Sequence, residues 1–172
     1  ISRAEGEFLA FIDSDDLWNK NKLKKQFNFM LEKDAAISFT PFKIISEAGN
    51  ESNKIIDNAA PDSISYSDLL FKRATFGCST VMVSRKKVGK IVMPNIRTGQ
   101  DYATWLSILK LGFNAYFLRE PLTSYRLVKG SLSRNKIKKA KRQWEIYRSI
   151  EKISLLRSII YFISYALRAI FR

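Results

Sequence analysis

The sequence predicts an α/β sandwich, and three observations predict it. Short runs of β-branched and aromatic residues alternate with segments of helical periodicity, as in domains that layer helices on a sheet. One such run, Phe8 to Ile12, leads straight into Asp13, Asp15 and Asp16, acids at the carboxyl end of a strand, where open α/β sheets gather ligands. The chain has 172 residues, 46% of them hydrophobic, which is enough for one domain with a sizeable core.

Taken in order, Glu7 to Ile12 reads as a short buried strand opened by Gly6. Leu17 to Asp34 reads as a helix, with Leu23, Phe27, Met30 and Leu31 on its core side and lysines opposite. Ala35 to Ile45 is expected to be strand, with Pro41 requiring an edge or a bulge. Glu47 to Asn50 is a turn, and Lys54 to Asp57 is the return strand of a hairpin. Asp57 to Ser63 is loop, Ser65 to Arg73 a short helix, and Cys78 to Ser84 a β-branched strand. Gly99 to Leu111 reads as a helix that buries Tyr102, Trp105, Leu106 and Leu109 and closes at Gly112. Ala115 to Leu118 and Leu122 to Val128 are strands around Pro121.

From about Ile137 the chain is helical, basic at first and then largely apolar. Ser154, Arg157, Ser158, Ser164, Arg168 and Arg172 recur at spacings that place them on one stripe. No uncharged apolar run of about 18 residues occurs, so a spanning helix is not expected. An apolar face beside arginines, with Trp144 and Tyr147 upstream, fits a helix lying in a membrane interface. Docking on the domain's own core or on a partner is the alternative.

Composition narrows the chemistry. There is no histidine, which excludes His-based triads and His-ligated zinc. The single cysteine, Cys78, supports no disulfide framework and reads as a small buried residue. Trp18 and Trp105 read as core. The net charge is +14, of which +10 lies from Lys129 onward, so the partner of that segment should be anionic.

The acid cluster has two readings on its own. Alternating carboxylates at Asp13 and Asp15 can converge on a hard divalent cation, and through it on phosphates. Asp15 or Asp16 can instead cap the helix that follows.

Three stretches carry a resemblance. They are Ala4 to Trp18 with Lys22-Leu23 and Gln26; Thr98-Gly99-Gln100-Asp101-Tyr102-Ala103-Thr104-Trp105-Leu106; and Pro121-Leu122 with Tyr125-Arg126, then Ser131 to Lys136. Together they resemble the family 2 glycosyltransferases of GT-A fold, the bacterial kind that builds surface polysaccharides, over about residues 1–136. The resemblance implies a mixed, mostly parallel sheet with helices on both faces. It implies inverting transfer of a sugar from a nucleotide-diphospho-sugar to a hydroxyl of a sugar or lipid-linked sugar acceptor. It places Asp13 near the nucleotide ribose and metal, Asp15 on Mn²⁺ or Mg²⁺, and the catalytic base at Asp101, with Asp16 as a helix cap. Gln100 stands where the family often has Glu, which leaves the base in place and alters a neighbouring contact. Arg126, Ser131 and Ser133 resemble a loop that closes over donor phosphates.

The family's first strand, and the acid after it that reads the nucleobase, have no counterpart here. The chain is therefore expected to be the C-terminal two-thirds of a catalytic domain (1–136) with a basic, then amphipathic, helical tail (137–172), and to bind donor poorly alone. The chemistry agrees: a metal neutralises the departing diphosphate, so one carboxylate base suffices, whereas a glycosidase needs two carboxyls. The expected location is the cytoplasmic face of the cell membrane, with the tail at the lipid surface. A nucleic-acid-binding protein using the basic tail and a non-catalytic interaction domain are the rivals. The first leaves Asp13 to Asp16 without a role, so no nucleic acid is expected.

Overall fold

In a computed structural model, which describes residues 1–128 and 136–171, the chain builds two sheets and passes between them several times. The larger holds β1 (Phe8–Ala10), β3 (Ile37–Phe39), β6 (Ser63–Ile64), β7 (Met82–Ser84) and β8 (Ala115–Phe117), in the order β1-β7-β3-β8-β6. The smaller holds β2 (Leu17–Trp18), β4 (Phe42–Ile45), β5 (Glu51–Ile56) and β9 (Thr123–Arg126), in the order β2-β9-β4-β5. The α/β class is as expected. The sheets are mixed, but only β3–β8 and β4–β9 pair in parallel among the described residues; the other ladders are antiparallel. Of the antiparallel ladders, β4–β5 is a hairpin, whose short connection requires that sense, while the others join strands far apart in the chain.

The stretch Ala35 to Ile45 is two strands and not one. Thr40-Pro41 separates β3 from β4, and the chain crosses from one sheet to the other there. Pro41 has no N–H to give a ladder, so it sits where the ladder breaks. Cys78 to Ser84 also departs from expectation. Cys78–Thr80 forms a 3₁₀ turn closed by Thr80 N–H on Gly77 O (2.9 Å), and the strand starts only at Met82.

Helix α1 (Lys22–Glu32) begins later than the periodicity suggests. Leu17 and Trp18 pair with β9 instead, and the Trp18 indole N–H donates to Ser79 O (2.8 Å). The inner face of α1 is Lys22, Gln26 and Met30; Met30 is buried as expected, whereas Leu23, Phe27 and Leu31 are exposed. Hydrogen bonds explain this: the Gln26 amide donates to Ser38 Oγ and Thr80 O, both 3.0 Å, tying the helix to two strand ends. Lys22 Nζ donates to Gln26 Oε1 (2.5 Å) and lies 4.8 Å from the Trp18 ring centroid.

Helix α2 (Tyr66–Leu70) is opened by Ser65 and Asp68 in a reciprocal capping box, and α3 (Arg85–Val88) is a single turn. Helix α4 (Gln100–Leu109) buries Tyr102, Trp105, Leu106 and Leu109, as its pattern requires. The core gathers these with Ile37, Phe39, Val83 and Ala115, and Phe39 stacks on Phe76 (4.1 Å) and Phe117 (5.1 Å).

The C-terminal segment joins the same core. Helix α5 (Lys136–Glu145) runs into a π-helical turn (Ile146–Ile150) that buries Ile146 and Tyr147, and the Tyr147 hydroxyl donates to Leu70 O (2.8 Å). Helix α6 (Leu155–Phe171) then lies on the body through part of its polar stripe, Ser158, Ser164 and Arg168, while Arg157 stays exposed. Ser158 is buried, Ser164 Oγ donates to Phe71 O (2.8 Å), and Arg168 pairs with the buried Asp57 carboxylate (2.8 Å). Leu155, Leu156, Ile159, Ile160, Ile163 and Leu167 face outward and are exposed. No described helix is long and apolar enough to cross a membrane.

Burial pushes the Lys22 ammonium down to a pKa of about 8. Its charged form is penalised in the folded state below that value, and the penalty is lifted as pH rises from 8 towards the unfolded-state value of 10.5. Lys22→Met should therefore be at least as stable as the parent at pH 7. The parent should gain up to about 3 kcal/mol relative to the variant between pH 8 and 10.5, measured by denaturant unfolding across pH.

Candidate active site

The carboxyl end of β1 meets the start of β7 because the two strands pair antiparallel, with Ala10 opposite Met82. Continuing that register sets residues 11–16 beside the turn Cys78–Thr80. Asp13 N–H donates to Ser79 Oγ (3.0 Å), and Asp16 N–H closes a tight turn on Asp13 O (3.1 Å). The β2–β9 pairing brings Arg126 to the other side.

Asp16 is buried and does not cap α1, which starts six residues later. Its Oδ2 accepts from Ser79 Oγ (2.6 Å) and its Oδ1 from the Arg126 N–H (3.0 Å). Burial raises its pKa, helped by the charges of Asp13 and Asp15 and opposed by those two hydrogen bonds. Asp15 is exposed at the crest of the turn.

Asp13 is where the site's charges meet. Its carboxyl is held above the usual range, first by desolvation, then by the negative charges of Asp101 and Asp15, against a hydrogen bond from the Cys78 thiol. Asp101, in the first turn of α4, therefore acts electrostatically on the same place as the acid turn, 88 residues away in sequence. Burial raises Asp101 as well, opposed by the backbone N–H groups at the helix start and by the Lys72 ammonium. Lys72 lies 3.1 Å from the Tyr102 ring centroid, beside that base position. Gln100 Oε1 is buried with no hydrogen-bond partner among the described residues.

Cys78 is half-buried, and desolvation together with Asp13 and Asp101 pushes its thiol up to about 12. It donates a hydrogen bond to Asp13, and its raised pKa keeps it in the less reactive thiol form. Trp105 is fully buried core, and Trp18 is partly buried against Ser79 and Lys22.

The sites expected from sequence thus divide. Asp13, Asp15 and Asp101 come together. The Arg126 guanidinium is engaged with backbone carbonyls: Nε donates to Asp15 O (2.8 Å), and Nη1 to Ser46 O (3.2 Å) and Glu47 O (3.0 Å). It staples the acid turn to the β4–β5 hairpin. Ser131 and Ser133 lie outside the described residues. Ser79 and Lys72 were not anticipated. Their only signals were a polar pair, Ser79-Thr80, opening an apolar run, and a lysine at the end of a short helix.

Among the described residues, no three Asp, Glu, Cys or His side chains converge closely enough to hold an ion by themselves. A carboxylate at Asp13 that feels the negative charge of the exposed Asp15 fits a hard divalent cation whose remaining ligands are phosphates and water.

The chain is similar to known proteins along nearly its whole length. The family model "Glycosyl transferase family 2" matches residues 1–92. A Bacillus subtilis protein assigned to teichuronic acid biosynthesis as the glycosyltransferase TuaG is 48% identical over 170 residues, covering 99% of this chain and 66% of its own length. The Escherichia coli UDP-Glc:α-D-GlcNAc-diphosphoundecaprenol β-1,3-glucosyltransferase WfgD is 36% identical over 170 residues, covering 96% of this chain and 63% of its own. The chain thus spans just under two-thirds of these relatives. The crystal structure of S. aureus TarS 1-349 in complex with UDP-GlcNAc superposes with a TM-score of 0.60 at 19% identity, over 86% of this chain and 42% of that one, and shares the fold. With more than half its length matched by the family model, the chain belongs to glycosyl transferase family 2.

Proposed function

We propose that this chain supplies the metal-binding acids and the base of an inverting glycosyltransferase that moves a sugar from a nucleotide-diphospho-sugar to an acceptor hydroxyl during surface-polysaccharide assembly. The observation that carries the reading is the convergence of Asp101 on the Asp13–Asp15 turn. TuaG and WfgD, named as glycosyltransferases, and the UDP-bound form of TarS support a nucleotide-sugar donor.

In this reading Asp101 accepts the acceptor hydroxyl's proton as its oxygen bonds to the anomeric carbon and the bond to the diphosphate breaks. Burial raises Asp101 towards working pH, which makes it a better base, and Lys72 keeps it ionised. Asp13 and Asp15 would hold Mn²⁺ or Mg²⁺, which neutralises charge on the departing diphosphate. Arg126 adds a fixed positive charge beside Asp15, and Ser131 and Ser133 complete the proposed phosphate contacts.

The test is nucleotide release from UDP-, GDP- and dTDP-sugars, with and without Mn²⁺, by the protein as encoded. Asp101→Asn should lower turnover about 10²–10⁴-fold while leaving UDP affinity intact. Because the base must be ionised, the rate should fall as pH drops through the raised Asp101 pKa, so the acidic limb should lie above the ordinary carboxylate value of 3.8. Absence of turnover with every donor by the folded protein would favour a non-catalytic interaction domain.

We further propose that α6 places this site at the cytoplasmic face of the cell membrane. Six of its leucines and isoleucines are exposed while Ser158, Ser164 and Arg168 are used against the body, and Leu155–Phe171 contains no acid. The strongly basic α5 precedes it, suited to anionic headgroups. WfgD is named for an acceptor on diphosphoundecaprenol; a lipid-linked acceptor here would be presented at that surface. Binding to phosphatidylglycerol vesicles should weaken at high salt and fall sharply in Ile160→Asp/Ile163→Asp. Equal binding by parent and variant would reject this docking face.

A further inference from the structure

Ser79 touches the acid turn twice and the rest of the fold twice. Its hydroxyl oxygen accepts from the Asp13 N–H (3.0 Å) while its proton goes to Asp16 Oδ2 (2.6 Å). Its carbonyl accepts from the Trp18 indole N–H (2.8 Å) and, on the side away from the turn, from Thr123 Oγ1 (3.0 Å). Ser79 and Asp16 are both buried, whereas Asp13 and Asp15 are exposed. Asp16 also takes the Arg126 N–H (3.0 Å), so β7's leading turn and β9 grip one carboxylate from two directions.

A four-residue turn carrying three acids has no reason of its own to stay folded, because its charges repel. Asp13 and Asp15 flank Ser14 on one turn, and their separation depends on how that turn is closed. The closing contacts are Asp16 N–H on Asp13 O, Asp13 N–H on Ser79, and the Asp16 carboxylate on Ser79 and Arg126. Two of these contacts put a neutral or fixed donor against a buried carboxylate, the arrangement that holds such a group most firmly.

We infer that Ser79 and Asp16 form a positioning pair that sets the spacing of the Asp13 and Asp15 carboxylates for a divalent cation shared with a nucleotide diphosphate. Neither side chain touches the cation or the donor; each acts through the backbone of the turn. The inference rests on the donor-binding reading given above for Asp13 and Asp15.

The experiment measures UDP affinity in the presence of Mn²⁺ by calorimetry, with free Mn²⁺ followed by electron paramagnetic resonance, in the protein as encoded. Asp15→Ala serves as the reference for lost binding. Ser79→Ala and Asp16→Ala should weaken Mn²⁺–UDP binding about 10–100-fold, as loss of residues that orient metal ligands does. Asp16→Asn retains one acceptor and the side-chain volume, and should rescue binding to within about threefold of the parent. Thr123→Val removes a buried bond to the same serine without touching the turn. It should lower the melting temperature about as much as Ser79→Ala yet bind as the parent does.

If Asp15→Ala binds as the parent does, the donor-binding reading itself fails. If Asp15→Ala loses binding while Ser79→Ala keeps it, only the positioning role is overturned. Equal losses in Thr123→Val and Ser79→Ala would make the serine merely structural and overturn the role as well. Should Ser79→Ala not fold, Asp16→Asn decides: retained affinity supports positioning, and a loss matching Asp15→Ala makes Asp16 a ligand and overturns it.

Discussion

Like charges at the end of β1 are the constraint around which the domain is arranged. Three carboxylates stand within four residues, with a fourth approaching from α4; burial and the neighbouring charges raise the proton affinity of Asp13 and Asp16, and those charges would spread a loose loop apart. The fold answers with neutral and fixed donors: the Ser79 hydroxyl, the Arg126 N–H, the Cys78 thiol and the start of α4. None of these removes the negative potential in the middle of the site. What they do is hold its sources in register, so that the potential remains available to a cation.

That requirement explains why two sheets are needed. Ser79 comes from the segment leading into the larger sheet and Arg126 from the smaller one, and the chain passes between the sheets at Thr40-Pro41. A single flat sheet would support the acid turn from one side only. The Arg126 guanidinium extends the support to the β4–β5 hairpin through three carbonyls. Its expected place over donor phosphates and its observed place as a staple share one charge, positioned beside Asp15.

The parts of this architecture legible in the sequence were those written in short-range patterns. The strand before Asp13, the buried face of α4 and the short helix after Ser65 each follow from residues within a few positions of one another. Asp13, Asp15 and Asp101 were picked out through the order of the three motifs, and the charge of Asp101 does reach Asp13. What the sequence concealed were partners far along the chain. The inward face of α1 is set by Gln26 bonding to Ser38 and Thr80, so a polar residue took the place that Leu23 and Phe27 held by hydrophobicity alone. Asp16 looked like a helix cap because its acceptors' donors, on Ser79 and Arg126, lie 63 and 110 residues away. Helix α6 showed its amphipathicity plainly, but which side faced the body depended on Asp57 and Phe71.

Gly99 has a bearing on how such enzymes can be recombined. Its backbone is left-handed (φ +74°), and a Cβ there would stand 2.9 Å from Ile146 Cδ1, so the residue preceding the base helix is moulded to the C-terminal turn. A chimaera that keeps the catalytic portion of one family member and takes its terminal helices from another must therefore match this pair of surfaces, glycine against a branched aliphatic. The terminal helices are inherited together with the floor beneath Asp101, and a crossover placed between the two halves of that contact would disturb the start of α4 first.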